Sequence, residues 1–330
     1  MNAFLTRTMK ITICLTSLLT SLPLVAREVV QAGSVCTVTP LGASSDDTPQ
    51  IKRAFSQCSK DSQIIFQEGT YNIRQVKEFT NLKNLCGTDI ALRGHRKALF
   101  DGNVQAWIDE NRGGSNRKGR PINLTIWRVT NVFVDGITWR QSQFWHTFVA
   151  YSKNVTMTDL DMRTRSNSQW SAVNTDGIDT WNSEDVTIRN WTDCISVKGN
   201  SKNILAQNIT CYESGCAVIG SIANGATQTV ENTYPGQGHV RNVTFCNFEF
   251  SDVDQPIYVT SCIYSGQNCD GSRLPIEGVT WENVKGTSPR RGGGGTGKVL
   301  CSNIKGQADM GLACTGTCPA GWPQQLKGNR

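Results

Sequence analysis

The middle of the chain repeats one short phrase in which apolar and polar residues alternate. Each copy opens with a polar residue, and a further Asn, Asp or Gly often falls in its middle, where a turn would sit. Alternation with a period of two residues predicts β-strands, and the polar residues predict the turns between them. Clear copies begin at Asn131, Asn154, Asp185, Asn203 and Asn242.

One such repeat cannot bury its apolar face alone, so successive repeats must stack into a continuous core. The first two copies lie 23 residues apart, which favours one coil of a solenoid over a hairpin. A β-sandwich, the alternative, would show hairpin signals roughly every 8–12 residues. The pattern therefore predicts an all-β fold, a parallel β-helix, with a short capping helix at 47–58.

The spacing of the phrase becomes uneven around the part of the chain that is richest in carboxylates. Successive copies are separated by 23, 31, 18 and 39 residues. An inserted loop explains the long second step, but 18 residues are too few for an ordinary coil. Such shortening would shift a strand's alternation and turn inward residues outward. We expect a shortened or missing coil, and hypothesise that segments are absent next to Thr192 and Asn232 through mis-predicted splicing or genuine truncation.

The start of the chain predicts export. Two basic residues precede a mostly apolar run at 11–25, and Ala26 supplies a small residue for cleavage. The run is shorter than the ~20 residues that span a membrane, and Pro23 interrupts it. We therefore predict a signal peptide at 1–26, a single domain at 27–330, and a secreted, extracellular protein without a membrane anchor.

Cysteine usage agrees with export. The chain has 13 cysteines, and 12 remain once Cys14 leaves with the signal peptide. An even number in an exported chain indicates disulfides, and Cys262 with Cys269 and Cys314 with Cys318 resemble loop staples. With only three histidines and no paired C-x-x-C motifs, the sequence predicts no metal site and no cofactor.

The charge of the chain bears on its partner, and its Asn-x-Ser/Thr triplets bear on glycosylation. Without residues 1–26 the chain has 31 basic and 27 acidic residues, a net charge of +4. The charges are scattered, which argues against nucleic acid and is compatible with an anionic polymer. Five Asn-x-Ser/Thr triplets could accept N-glycans on the export route. They begin at Asn123, Asn154, Asn190, Asn208 and Asn242.

Asp176 and Asp193 are the candidate catalytic residues. Residues at matching positions of successive coils stack about 4.8 Å apart, and these two lie about one coil apart. Inverting cleavage of a glycosidic bond needs an acid that protonates the leaving oxygen and a base that activates water, roughly 6.5–9.5 Å from it. The alternative is that Asp176 and Asp179 are turn residues and that Asp193 caps a strand.

Several segments of the chain resemble glycoside hydrolase family 28, the polygalacturonase family. The likeness runs from about residue 46 to about 284, and the fungal exo-acting branch is the most similar. That branch contains exopolygalacturonases and exo-acting rhamnogalacturonan or rhamnoside hydrolases. The resemblance implies a right-handed parallel β-helix, inverting hydrolysis of pectic α-glycosidic bonds, and no metal cofactor. The resembling segments are 100–107, 120–127, 141–145, Asn174-Thr-Asp-Gly, Asp193-Cys-Ile-Ser, the run from Lys198, and Gly220-Ser.

The resemblance also suggests roles for individual residues. Asn174 resembles a substrate-contacting asparagine, and Lys198 is a second candidate substrate contact. Asp176 and Asp193 resemble the two aspartates that activate water in the family. The family's general acid is an aspartate just before the second of these, and Thr192 stands in its place. A hydroxyl cannot replace a carboxylic acid near neutral pH, and general acid catalysis is typically worth about 10²–10⁴-fold.

Two further departures affect the expected activity. The family's Gly-His-Gly segment falls at 212–216 without a histidine, and no Arg-x-Lys segment follows Gly220 to hold a substrate carboxylate. We expect a monomeric, exo-acting hydrolase of polygalacturonate or rhamnogalacturonan, or else a catalytically impaired pectin-binding member of the family. A pectin or pectate lyase shares the β-helix but usually needs calcium-binding acids and a basic catalyst, and the Asn-Thr-Asp-Gly phrase favours hydrolysis.

Overall fold

The structure is a computed structural model. It describes residues 29–42, 45–58, 61–73, 90–114, 119–212, 217–220, 240–251, 257–259, 276–287, 299–301, 304–306, 311, 313–314 and 316–317. The predicted signal peptide at 1–26, the expected gap next to Asn232, the proposed pair Cys262 and Cys269, and most of segment 212–216 lie outside these residues. No helix among the described residues is long and apolar enough to cross a membrane.

The described residues form short strands and two helices. In chain order these elements are β1 (Val29–Ala32), β2 (Val35–Val38), α1 (Thr48–Gln57), β3 (Ser62–Phe66), β4 (Gly69–Asn72), β5 (Ile90–Asp101), α2 (Gln105–Asn111), β6 (Leu124–Trp127), β7 (Thr130–Arg140), β8 (Thr147–Ala150), β9 (Lys153–Arg163), β10 (Ile178–Trp181), β11 (Glu184–Thr192), β12 (Ile195–Val197), β13 (Lys202–Thr210), β14 (Ala217–Ile219), β15 (Val240–Cys246), β16 (Glu249–Ser251), β17 (Ile257–Val259), β18 (Ile276–Glu282), β19 (Lys285–Thr287), β20 (Val299–Cys301), β21 (Ile304–Lys305) and β22 (Gly316–Thr317).

The strands stack as the coils of a parallel β-helix, which confirms the predicted fold. One sheet has the order β1-β2-β3-β5-β7-β9-β11-β13, with β4 beside β5, and a second has the order β14-β12-β10-β8-β6. Among the strand pairs of the described residues, only β1 and β2 are antiparallel. The later pairs are parallel, with β7 against β9 and β10 against β12 as examples. Further toward the C-terminus, β15-β18-β21, β16-β19 and β17-β20-β22 form three smaller parallel sheets. Helix α1 lies where the capping helix was predicted.

The polar residues that open each phrase are the corners of the coils. Asn131, Asn154, Asp185 and Asn203 all have φ between 54° and 61°, a left-handed conformation that costs most L-residues roughly 1–2 kcal/mol and that Asn and Asp adopt most readily. Their side chains stack from coil to coil. Asn154 Nδ2 donates to Asn131 Oδ1 at 2.7 Å, and Asn203 Nδ2 donates to Asp185 Oδ1 at 3.0 Å.

A second row of corners runs through the middle of the long strands. Gly136, Asp159, Asn190 and Asn208 have φ between 51° and 65°. Asn190 Nδ2 donates to Asp159 Oδ1 at 3.0 Å, and Asn208 Nδ2 donates to Asn190 Oδ1 at 2.8 Å. The Asn, Asp and Gly residues in the middle of each repeat therefore lie at bends of the backbone, as the sequence predicted.

One of the five predicted glycan acceptors is ruled out by burial. Asn123 is 7% exposed, so the folded chain has no room for a glycan on its side chain. Asn154, Asn190, Asn208 and Asn242 are exposed, as an acceptor requires, and they stay predictions.

The 18-residue step does not break the register, so the expectation that it would turn inward residues outward is wrong. Val186 of β11 pairs with Ile204 of β13, and Trp191 pairs with Ile209; both isoleucines pack against the main core. The shortening falls at the end of β11, which has 9 residues where β7 and β9 have 11, and in the connection that follows it. Residues 141–146 join β7 to β8, whereas residues 193–194 alone join β11 to β12.

Stacked side chains fill the interior between the sheets. The rings of Tyr71 and Phe100 stack at 5.0 Å between centroids, and those of Phe100 and Trp139 at 4.7 Å. Each of the three comes from a successive coil and is nearly inaccessible to solvent. Such rings bury large apolar areas, which contribute most of the favourable free energy of folding.

Two disulfides lie in the described part of the chain. Cys36 bonds to Cys58, which ties β2 to the end of α1, and Cys301 bonds to Cys314. The predicted pairing of Cys314 with Cys318 is therefore wrong, because β20 brings Cys301 to Cys314. Three further cysteines in the described residues form no disulfide: Cys194, Cys211 and Cys246.

We expect the close stacking of the corners to make Gly136 sensitive to substitution. A β-carbon on Gly136 would lie 2.7 Å from the backbone nitrogen of Arg96, whereas Gly33, with a similar φ, has no atom within 4 Å. Gly33→Ala should cost about 1 kcal/mol through its backbone alone. Gly136→Ala should cost about 1–3 kcal/mol more, because overpacking adds to it. Urea denaturation measures both, and equal losses would contradict this account.

Candidate active site

Asp176 and Asp193 stack in successive coils, as the sequence predicted. Each lies two residues before a strand of the second sheet. Strands β10 and β12 pair with Ile178 opposite Ile195, which places Asp176 level with Asp193. The backbone N–H of Ile178 donates to the carbonyl oxygen of Cys194 at 3.1 Å and holds the two turns together.

Gly177 permits the two turns to approach each other. A β-carbon at this position would lie 2.8 Å from the Cys194 carbonyl oxygen, 2.8 Å from Trp191 Nε1 and 3.2 Å from Asp193 Cβ. The first two distances are shorter than real contacts of a β-carbon. The glycine of the Asn-Thr-Asp-Gly phrase is thus needed for the aspartates to stack.

Two cations influence Asp176. Burial raises the pKa of Asp176, and the charges of Lys198 and Arg120 act in the opposite direction. Backbone acceptors hold Arg120 in place: its Nε donates to the Gln143 carbonyl oxygen at 2.7 Å and its Nη2 to that of Val173 at 2.5 Å. Burial lowers the pKa of Arg120, and Asp176 opposes that shift.

Asp193 has a different environment. Its Oδ1 accepts the Cys194 N–H at 2.7 Å, its side chain is 15% exposed, and its backbone has φ 100°. Burial raises the pKa of Asp193 to about 7, with Asp176 adding to the rise and the Cys194 N–H opposing it. This carboxyl group is therefore much more easily protonated than an exposed aspartate.

His146 lies against both aspartates and was missed by the sequence analysis. It is fully buried, and burial followed by the charge of Arg140 lowers its pKa to about 3. Its Nε2 is 3.8 Å from Asp193 Oδ2 and 3.0 Å from Thr164 Oγ1, and its backbone N–H donates to the Asp176 carbonyl oxygen at 2.8 Å. Its only sequence signal is its place just after the resembling segment 141–145.

Lys198 forms a buried ion pair that the sequence did not predict. Its Nζ lies 2.6 Å from Asp179 Oδ1, 3.0 Å from Ser196 Oγ and 4.9 Å from the centre of the Trp145 ring. Asp179 lies within β10, so the alternative that it is a turn residue is wrong. Burial and Asp176 raise the pKa of Asp179 to about 8, and Lys198 opposes them.

The hydroxyl of Thr192, which the family resemblance aligns with the general acid, is engaged by other groups. This hydroxyl donates to Asp161 Oδ1 at 2.6 Å and accepts the Met162 N–H at 3.1 Å. Arg140 also binds Asp161. Burial works to raise the pKa of Asp161, but the hydrogen bonds from Arg140 and Thr192 outweigh it and lower the pKa.

The structure places Asn174 two residues before Asp176, in the connection between β9 and β10. It has φ 53° and is half-buried. The connections that flank β10 and β12 thus carry the four predicted site residues: Asn174, Asp176, Asp193 and Lys198. Among the residues that the structure describes, no group of three His, Cys, Asp or Glu side chains is arranged to hold a metal ion. Two carboxyl groups in unequal charge environments are suited to acid–base chemistry.

Comparison with known proteins gives a consistent result. The family model for glycosyl hydrolases family 28 matches residues 37–235, more than half of the chain. An exopolygalacturonase from Cochliobolus carbonum is 28% identical over 357 residues, covering 84% of this chain and 79% of the relative. An alpha-L-rhamnosidase from Aspergillus niger is 26% identical and covers 78% of each chain.

Two solved structures share the fold. The endo-xylogalacturonan hydrolase from Aspergillus tubingensis superposes with a TM-score of 0.59 at 22% identity, over 87% of this chain and all of that one. The polygalacturonase from Erwinia carotovora superposes with a TM-score of 0.53 at 17% identity, over 84% of this chain and 97% of that one. At these identities the likeness supports the fold alone.

We expect the contribution of Asp193 to the free energy of unfolding to fall as the pH rises from about 4 to about 7. The pKa of Asp193 is about 7 in the folded chain and 3.8 without burial, so the unfolded chain loses this proton first. Each pH unit in that window then costs the folded state up to about 1.4 kcal/mol. Asp193→Asn removes the titrating group, so its stability should depend less on pH. Urea denaturation across the window tests this, and equal slopes for both proteins would contradict it.

Proposed function

The chain belongs to glycosyl hydrolase family 28, and we propose that it is a secreted, exo-acting hydrolase of pectin. It would cleave α-1,4-galacturonosidic bonds, or related bonds of rhamnogalacturonan, with inversion at the reacting carbon. The observation that carries this proposal is the stacked pair Asp176 and Asp193. The fold supplies the pair, and Gly177 allows it to form.

The charges around the pair support an anionic sugar as the substrate. Lys198 and Arg120 both act on Asp176, so a uronate carboxylate next to this carboxyl group would meet positive charge. Trp145 lies level with Asp176 in the preceding coil and offers a ring of the kind on which sugars pack. The relatives named an exopolygalacturonase and an alpha-L-rhamnosidase point to the same class of polymer.

In the reaction, one carboxylate accepts a proton from water as the water oxygen attacks the anomeric carbon. The bond from that carbon to the leaving sugar oxygen breaks, and that oxygen takes up a proton. Asp176 is suited to the first task, because Lys198 and Arg120 favour its ionised form. Asn174 and Lys198 are proposed to contact the substrate next to it.

Export and a monomeric state are parts of the same proposal. Pectin is extracellular, and the apolar run at 11–25 provides a signal for secretion. The disulfides Cys36–Cys58 and Cys301–Cys314 are of the kind that forms and persists in oxidising compartments.

Thr192 favours a second candidate function. If no group replaces the family's general acid, the chain would bind pectic polysaccharide without hydrolysing it. Binding would use the same cations and Trp145. The two functions differ in one outcome, the release of new reducing ends.

We expect the purified chain to release monomeric sugar from polygalacturonate or rhamnogalacturonan, and Asp176→Asn to slow that release about 10²–10⁴-fold, the usual contribution of a general base. Asp109→Asn, at an exposed site of α2, is the matched control and should leave the rate unchanged. Reducing-end assays and chromatography of the products measure both. Binding of either polymer without any new reducing ends would support the second function instead.

A further inference from the structure

The reaction proposed above lacks an assigned proton donor. Thr192 occupies the place of the family's acid, and its hydroxyl is bonded to Asp161 and to the Met162 N–H. We propose that Asp193 donates the proton to the leaving oxygen, and that Asp176 alone activates water. This assignment rests on the proposed hydrolase function and departs from the role that the family resemblance suggests for Asp193.

The cations of the site are divided unequally between the two aspartates. Lys198 and Arg120 both favour the ionised form of Asp176. Among the residues that the structure describes, no lysine or arginine forms an ion pair with Asp193. A nearby cation stabilises a carboxylate and a nearby anion destabilises it. Burial raises the pKa of Asp176, but Lys198 and Arg120 oppose that rise. Asp176 is therefore the member of the pair whose ionised form has cations beside it, and its charge adds to the rise in the pKa of Asp193.

Within the described segments packed around Asp193, no lysine or arginine forms an ion pair with it. The groups that face it are Asp176 from the turn before β10, His146 from the connection before β8, Cys194 of its own turn, and Cys211, whose Sγ lies 3.4 Å from the Asp193 carbonyl oxygen. His146 is neutral at mildly acidic pH, because its pKa is about 3. With a pKa of about 7, Asp193 carries its proton in the same range.

Hydrogen bonding indicates which oxygen carries that proton. Oδ1 of Asp193 accepts the Cys194 N–H at 2.7 Å, as the carbonyl oxygen of a neutral carboxyl group does, so the acidic proton lies on Oδ2. During cleavage the Oδ2 proton moves to the glycosidic oxygen as its bond to the anomeric carbon breaks. Asp176 takes one proton from the attacking water at the same time. One proton transfer from Asp176 to Asp193 through solvent then restores both groups.

The test compares two substrates whose leaving groups differ in their need for a proton. Cleavage of digalacturonate expels a sugar as a basic alkoxide, which needs a proton from an acid. Cleavage of a 2,4-dinitrophenyl α-galacturonide expels 2,4-dinitrophenolate, which leaves without one. Asp193→Asn should lose about 10²–10⁴-fold in kcat on digalacturonate and stay within about 10-fold of the wild type on the aryl substrate. Asp176→Asn should lose activity on both. The asparagine can still accept the Cys194 N–H, and activity on the aryl substrate shows that the variant folds.

The pH profile provides a second readout of the same role. On digalacturonate, kcat of the wild type should fall above about pH 7 as Asp193 loses its proton. On the aryl substrate, which needs no acid, that fall should be absent from both the wild type and Asp193→Asn. A structural role for Asp193 would not move this limb of the profile.

Thr192→Asp separates this proposal from the family's usual arrangement. The new carboxylate would lie next to Asp161 and repel it, so we expect no gain in kcat. A rise of 10-fold or more would show that the missing acid belongs at position 192 and would overturn the assignment. Equal losses of Asp193→Asn on both substrates, with unchanged circular dichroism, would overturn it as well. A wild type inactive on both substrates would instead overturn the proposed function, and this assignment with it.

Discussion

Stacked corner residues determine how each coil lies on the next. The chain bends in the left-handed region at each corner of this row, Asn131, Asn154, Asp185 and Asn203. Side-chain hydrogen bonds join Asn131 to Asn154 and Asp185 to Asn203. Because each coil must place such a residue above the last, a strand cannot slip without losing both the bend and the bond. The alignment of every other residue between coils, including the stacking of Asp176 on Asp193, depends on this register.

The same constraint explains how the shortened coil survives. Its corner residues and its strand pairing are kept, and the coil is shorter at the end of β11 and in the connection that carries Asp193. The result is an abrupt turn, with Asp193 at φ 100° directly after β11. The turn holds this carboxyl group against the coil below, where burial, His146 and the charge of Asp176 surround it. A coil that is unusually short in sequence therefore still holds an ordered pair of carboxyl groups.

The sequence predicted the features that follow from the order of residues within each repeat. Alternation and corner asparagines indicated the β-helix, and matching positions in the repeat indicated that Asp176 stacks on Asp193. It could not predict the ion pair of Lys198 with Asp179 or the contact of His146, because these arise from burial and packing between distant coils. The error over register arose because the coil is shorter at the end of β11 and in the turn after it, which leaves the alternation of the paired residues unchanged. The bond from Cys314 to Cys301 was missed because proximity in sequence favoured Cys318.

Hydrolysis by this chain rests on one claim, that one carboxyl group takes a proton from the attacking water while the carboxyl group on the next coil protonates the leaving oxygen. The stereochemistry of the first product tests it most directly, because attack by water in one displacement inverts the anomeric carbon. Proton NMR of the wild type with trigalacturonate should show the new reducing sugar first as the β-anomer, with the α-anomer appearing later by mutarotation. Initial formation of the α-anomer, or no new reducing sugar at all, would contradict the claim.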